Sequence, residues 1–298
     1  MAGRNYPKNQ WKGYLFVILA AAMWGTNGVA AKYLFNHKIS PSMLVQMRST
    51  LAFFILFAIL ALFKRKLIRL SKKDLPFMLT FAIGGMAMVS FMFFYTVSKT
   101  NVATAVLLQY TGIILIAIFA VCFQGEGLTW IKVTSLALAF LGCFLMVGGY
   151  NLELLRLNTV GLICGLTAAL FFAFYTLYGE WGLKRYSPWT MVVYAFGFSA
   201  LFWAVFITPW EVSQWGLSLT KWPYFLYVVI VGTVIPFGFF FQGIKYIKAT
   251  RASITSTLEP IVAGVVSYFL LGERLAFPQI IGGISVIAAI ILLQAGRE

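Results

Sequence analysis

The chain has 298 residues, of which 61% are hydrophobic and only 10% charged, with a formal net charge of +15. A soluble domain is about 45–50% apolar and about 25% charged, so this composition excludes a soluble globular protein and points to a polytopic membrane protein. The positive charges fall between apolar runs, which marks them as determinants of membrane orientation and gives no reason to expect a nucleic-acid partner.

Taken in order, the chain opens with Arg4, Lys8 and Lys12 before an apolar run from Tyr14 to Ala31. That run is longer than a signal-peptide core and more spans follow, so it reads as a retained first helix. Crossing the hydrocarbon takes about 20 residues. Ten spans are expected at 14–33, 43–63, 75–97, 101–123, 131–149, 159–180, 189–208, 222–244, 250–271 and 277–295. The connections are too short for a soluble domain. Lys64, Arg65, Lys66, Arg69, Lys72 and Lys73 crowd one connection, and Lys132, Lys184, Arg185, Lys245, Lys248, Arg251 and Arg297 fall on the same side. The other side holds few, among them Lys38, Lys99, Arg156, Lys221 and Arg274. The excess places both termini in the cytoplasm. Trp11, Trp130, Trp210, Trp215 and Trp222 lie near span ends and read as interfacial anchors.

The chemistry-bearing residues are few. Cys122, Cys143 and Cys164 sit inside apolar segments without a pairing or metal-binding pattern, and His37 is the single histidine. No metal, cofactor or acid–base constellation is expected, and the chain does not read as an enzyme. The exception is the stretch from Thr250 to Arg274, a span with Glu259 near its middle and Pro260 next to it. A charged side chain at bilayer depth costs roughly 2.5–3.5 kcal/mol on insertion scales, so it faces protein or water. Pro260 removes a backbone donor and loosens the turn before it. Ala249, Ala252, Ser253, Ser256, Glu259, Ala263 and Ser267 form a small, polar face at helical spacing. Such a face equally suits close helix packing.

Shifting the chain by 147 residues superimposes its halves: Ser40-Pro41 on Ser187-Pro188, Pro76 on Pro223, Gly85 on Gly232, Gly125-Glu126 on Gly272-Glu273 and Gly149 on Gly296. Two units follow, 1–150 and 151–298, with five spans each. An odd number of spans makes the second unit enter from the opposite side. The expected fold is therefore an all-α membrane protein of ten transmembrane helices arranged as two inverted five-helix repeats. That architecture belongs to alternating-access carriers with a midplane site between the repeats.

Trp24-Gly25-Thr26-Asn27 in the first span, Arg48 in the second, Leu108-Gln109-Tyr110-Thr111 in the fourth, and Leu258-Glu259-Pro260 with Leu271-Gly272-Glu273-Arg274 around the ninth carry a resemblance. In these motifs the chain resembles the ten-helix drug/metabolite transporter superfamily, EamA type. One departure is Ile113, where the family often has proline, so the first half is expected to bend less there. The resemblance implies a secondary transporter of small metabolites, commonly an amino-acid exporter, in a bacterial inner membrane.

The candidate substrate-binding residues are Trp24, Asn27, Tyr95, Gln109, Phe171, Tyr175, Tyr178, Gln242, Ser256 and Glu259, with Glu259 also the candidate for proton coupling. They offer amides, phenols, rings and one carboxylate, the mix suited to a small ligand. Gly112, opposite Glu259 in the repeat, is expected to leave open space. Arg48 reads as a snorkelling or structural residue, Glu126 and Glu273 as helix-end contacts, and Gly25, Gly142, Gly282 and Gly283 as packing points. The expected partners are a small-molecule substrate and the lipid bilayer, with the chain a monomer or weak homodimer. Uncoupled facilitated diffusion, multidrug export, a channel and a non-transporting scaffold stay open as alternatives.

Overall fold

The computed structural model describes residues 9–36, 39–151, 153, 158–207, 222–271 and 275–296. Arg4, Lys8, His37, Lys38, Arg156, Trp210, Trp215, Lys221, Gly272, Glu273, Arg274 and Arg297 lie outside the described residues.

Ten helices account for the expected spans, and no strand occurs among the described residues. They are α1 (Gln10–Asn36), α2 (Pro41–Phe63), α3 (75–99), α4 (Val102–Gln124), α5 (Trp130–Met146), α6 (Thr159–Gly182), α7 (Pro188–Ala204), α8 (222–247), α9 (249–271) and α10 (Phe277–Ala295). Six apolar runs have the length and composition to cross a membrane, one of them (Trp222–Ser256) covering α8 and the start of α9. α5 and α7 have 17 residues each, at the lower end of the range of about 17–25 that spans a bilayer. The protein is a multi-pass membrane protein.

Local chemistry sets the helix starts in the same way in both halves. Ser40 caps α2 by accepting from the Met43 N–H at 3.2 Å, with Pro41 following. Ser187 does the same for α7 at 3.1 Å, with Pro188 following, 147 positions later. α3 contains a π-helical turn at Phe81–Ala87 and α8 one at Ile230–Val234, their ends again 147 apart. α3 and α4 are separated at Asn101, whose side chain caps α4. Its counterpart, Lys248, joins α8 to α9 with φ +67° and ψ 169°. That conformation is essentially reserved for glycine and costs on the order of 1–3 kcal/mol in another residue.

The packing has the same regularity. α1 runs along α8, and its counterpart α6 runs along α3. α1 also meets α9 as α6 meets α4, while α2 pairs with α7 and α5 with α10. Lipid gives helices no hydrophobic reason to associate, so close approach at small residues supplies the contact. At the α5–α10 crossing a Cβ on Gly142 would lie 2.7 Å from the Gly282 carbonyl oxygen, and one on Gly282 would lie 2.6 Å from that of Gly142. Gly25 is equally tight against the Glu259 carbonyl, at 2.6 Å. Gly283 is not a packing point: its nearest contact is Met146 Sδ at 3.8 Å, because it faces away from the crossing. Trp11, Trp130 and Trp222 are exposed, as anchors require.

One face of the bundle is closed by polar clasps. Glu126 is buried between Lys132 (3.5 Å) and Lys248 (3.4 Å), which makes it the helix-end contact expected. The basic connection after α2 is docked on α7: the Leu67 carbonyl accepts from Thr190 Oγ1 at 2.8 Å and the Ile68 carbonyl from the Tyr194 hydroxyl. Asp74 accepts from the Tyr186 hydroxyl (2.6 Å) and from Arg185 Nη1 (2.7 Å).

Gly142→Val or Gly282→Val is expected to destabilise the protein by about 1–3 kcal/mol through overpacking, while Gly283→Ala is tolerated; thermal unfolding in detergent checks both. The Tyr186 hydrogen bond, helped by Arg185, holds the Asp74 carboxyl below the ordinary carboxylate range. A lowered carboxylate pKa contributes stability above the unfolded value, and that stability is lost as pH falls through the folded one. Asp74→Asn should therefore lower Tm near neutral pH and lose its effect once the medium is acidified below the ordinary carboxylate range.

Candidate substrate cavity

The ninth span is broken at its carboxylate, and the break has a local cause. Pro260 has no N–H, so the Ser256 carbonyl four residues earlier loses its helical donor. Thr257 and Leu258 form a tightened turn instead, their amides reaching Ile254 and Thr255 at 3.2 Å each. The freed Ser256 carbonyl accepts from the Tyr110 hydroxyl at 2.6 Å, and the same hydroxyl lies 2.8 Å from Glu259 Oε2. Tyr110 comes from the matching place in α4, where Thr111 interrupts the helix, 147 positions before Leu258. The fourth span is thus interrupted without a proline, with Thr111 at φ −58° and ψ −24°.

Glu259 opens on a cavity of about 720 Å³. α1 contributes Trp24, Asn27 and Ala31; α2 Arg48; α3 Ser90, Phe93, Phe94 and Val97; and α4 Val106, Gln109 and Tyr110. α6 adds Phe172 and Tyr175, α8 Gly232 and Phe237, and α9 Glu259, Pro260, Ala263, Gly264 and Ser267. The wall continues to Asn101 between α3 and α4 and to Leu275 and Gln279 at the start of α10. The cavity therefore extends toward the face away from Gln10. Toward the other face, Phe81, Phe240 and Phe241 pack beneath Tyr175, with ring centroids 6.2, 6.0 and 5.1 Å from its own. Below them Gly179 abuts Phe241, and Gly13 abuts Ile247.

Of the residues expected from the sequence, Trp24, Asn27, Gln109, Tyr175 and Glu259 share this wall. Trp24 rests its ring edge on Phe237 at 5.3 Å. Asn27 lies directly against Gly232, leaving no room for a Cβ there, and its Oδ1 has no hydrogen-bond partner among the described residues. Tyr95, Phe171, Tyr178, Gln242 and Ser256 do not reach the wall. Tyr95 packs on Phe91 at 5.5 Å and under Lys99. Phe171 and Gln242 are half-buried elsewhere. Tyr178 stacks on Phe77 and Phe174 and borders a separate cleft between α4 and α6 that also holds Glu180 and Lys184. The Ser256 hydroxyl turns back to the Ser253 carbonyl at 2.8 Å, leaving only its backbone in the site. Gly112 leaves no open space: a Cβ there would lie 2.6 Å from the Ala169 carbonyl oxygen.

Tyr110 and Arg48 also line the cavity, although neither is among the substrate-binding candidates read from the sequence. Tyr110 was visible only within a motif. Arg48 is buried, not snorkelling: it bonds Ser90, and its guanidinium carbon lies 4.9 Å from the Phe94 ring centroid and 5.7 Å from that of Phe237.

The sequence model of the EamA-like transporter family matches residues 11–148 and again 159–294. The chain belongs to the EamA-like transporter family. An uncharacterized inner membrane transporter, YicL, of Salmonella typhimurium is 29% identical over 95% of each chain. An uncharacterized transporter of Archaeoglobus fulgidus is 31% identical over 72% of this chain and 76% of its own length. The threonine/homoserine exporter RhtA of Salmonella typhimurium is 25% identical over 97% of this chain and 93% of its own. A solved crystal structure 16% identical in sequence shares the fold, with a TM-score of 0.78 over 95% of this chain and 96% of that one.

Removing the Tyr110 hydroxyl strands two buried acceptors, and an unserved buried acceptor costs about 1–3 kcal/mol. Tyr110→Phe should therefore lower stability by roughly that amount. In a Pro260→Ala background the loss should be smaller, because the restored N–H at position 260 can serve the Ser256 carbonyl; a double-mutant cycle of thermal unfolding measures the difference.

Proposed function

We propose that this transporter is a secondary carrier of small metabolites that exports amino acids or close relatives by alternating access, with proton coupling through Glu259. The observation that carries the coupling is the single phenolic proton of Tyr110 between two acceptors, the Ser256 carbonyl and Glu259. With Glu259 ionised, the phenol serves the carboxylate. With Glu259 protonated, the carboxyl can donate to the phenol oxygen, and the phenol then serves Ser256. Gain or loss of one proton thus exchanges the bonding across the break in α9, on the wall of the cavity.

Alternating access is supported by the register of the two halves. Caps, π-helical turns and span breaks recur 147 positions apart, helix pairings exchange with the halves, and one family model fits each half. With five helices per half, the relation is an inversion across the membrane, as in carriers whose substrate sits at the repeat interface. The bias of Lys64–Lys73 puts the Gln10 end in the cytoplasm, so the cavity faces outward in this state. Amino-acid export draws on the threonine/homoserine export of the RhtA relative.

The test is flux in proteoliposomes under an imposed pH gradient. Wild-type protein should accumulate a substrate amino acid against its gradient. Glu259→Gln should keep measurable downhill substrate exchange at a raised KM but lose the gradient-driven component at least tenfold. Full gradient dependence in that variant would remove the coupling role and leave an uncoupled carrier.

A further inference from the structure

Arg48 is a buried cation without a protein counter-ion among the described residues. It is 3% exposed, and its Nε has no hydrogen-bond partner. Ser90 takes one of its nitrogens, and the rings of Phe94 and Phe237 flank it. Rings and a hydroxyl do not neutralise a guanidinium at bilayer depth, and a buried charge is retained where it meets an opposite charge. Glu259 lines the same cavity but is engaged by Tyr110 and forms no ion pair with Arg48. Tyr175, close enough to interact electrostatically with Arg48, has a buried hydroxyl without a hydrogen-bond partner among the described residues. On the same wall, Asn27 Oδ1 lacks a donor.

The polar groups of this wall sort by sign. Arg48 and Tyr175 offer N–H and O–H donors, while Asn27 and Glu259 offer acceptors. We infer that Arg48 is the carboxylate-binding group of the cavity, receiving the α-carboxylate of a zwitterionic substrate together with Tyr175, while Asn27 and Glu259 receive its ammonium. A guanidinium suits this because its planar fork matches a carboxylate and its charge persists at any physiological pH. The inference rests on the export reading above and narrows its substrate to molecules bearing both charges. It also gives the aromatic wall a role: Phe94 and Phe237 hold the guanidinium in place and exclude water that would weaken its attraction for an anion.

The test compares ligands that differ by one charge. Purified wild-type protein is screened by thermal shift against the common L-amino acids, the primary amines left by removing their carboxylates, and the 2-hydroxy acids left by replacing the ammonium. At least one amino acid should raise Tm, its matching amine should bind at least tenfold more weakly, and Arg48→Gln should abolish that preference. Arg48→Lys should restore part of it, since the charge returns without the fork. Tyr175→Phe, which keeps the ring, should weaken the amino acid several-fold and leave the amine unchanged; it carries the test should Arg48→Gln fail to fold.

Equal shifts by an amino acid and its amine, or a monodisperse Arg48→Gln protein that keeps the preference, would overturn the assignment and leave the exporter intact. Stabilisation by hydroxy acids without amino acids would support Arg48 as an anion site and overturn the amino-acid reading. A screen in which no compound shifts the wild-type protein at saturating concentration counts against both.

Discussion

One missing hydrogen organises the centre of this molecule. Because Pro260 cannot donate, the helix that carries Glu259 cannot close its own turn, and the Ser256 carbonyl is left to be satisfied from elsewhere. Tyr110 of α4 supplies that bond and reaches the carboxylate with the same hydroxyl. A backbone defect in one half is thereby repaired by a side chain from the other. The repair also fixes the carboxylate at the cavity wall, and α1 secures it from behind, where Gly25 admits the Glu259 backbone.

The halves share a plan without sharing a chemistry. Their caps, π-helical turns and span breaks fall at equivalent places, yet the charged groups of the cavity are not duplicated. Arg48 corresponds to Ala195, which is fully buried, and Glu259 corresponds to Gly112, which packs on the backbone of α6. Each half thus contributes one pole. Two copies with identical poles would set like charges against each other; divergence at these two positions gives a cavity that is positive on one wall and negative on another.

Much of the fold was legible in the sequence because length, proline and capping residues act locally. The ten spans, the serine-proline starts of α2 and α7, and the break at Glu259-Pro260 follow from residues and their immediate neighbours. Facing was harder to read. In lipid an apolar residue is equally at home on the outside of the bundle and within it, so periodicity does not separate the two. Tyr95 and Gln242 are expected at the site from the sequence, but each lies beyond a π-helical turn, where an extra residue per turn rotates everything that follows. Their helices present Phe93, Phe94 and Phe237 to the cavity instead. Of the two readings of Arg48, snorkelling fails and burial holds: Ser90 and two rings from other helices keep it inside. Gly283 and Gly112 show that an absent side chain says nothing of what lies opposite until the neighbouring helix is known.

The joint at Lys248 ties the end of α8 to the helix that carries Glu259. A connection one residue long, set in a backbone geometry that glycine alone adopts freely, has no slack. Tilting the inner half of α9 therefore drags the end of α8 with it, and Glu126 ties that corner to the end of α4. Because α4 also carries Tyr110, the corner closes a ring of contacts that starts and finishes at the carboxylate.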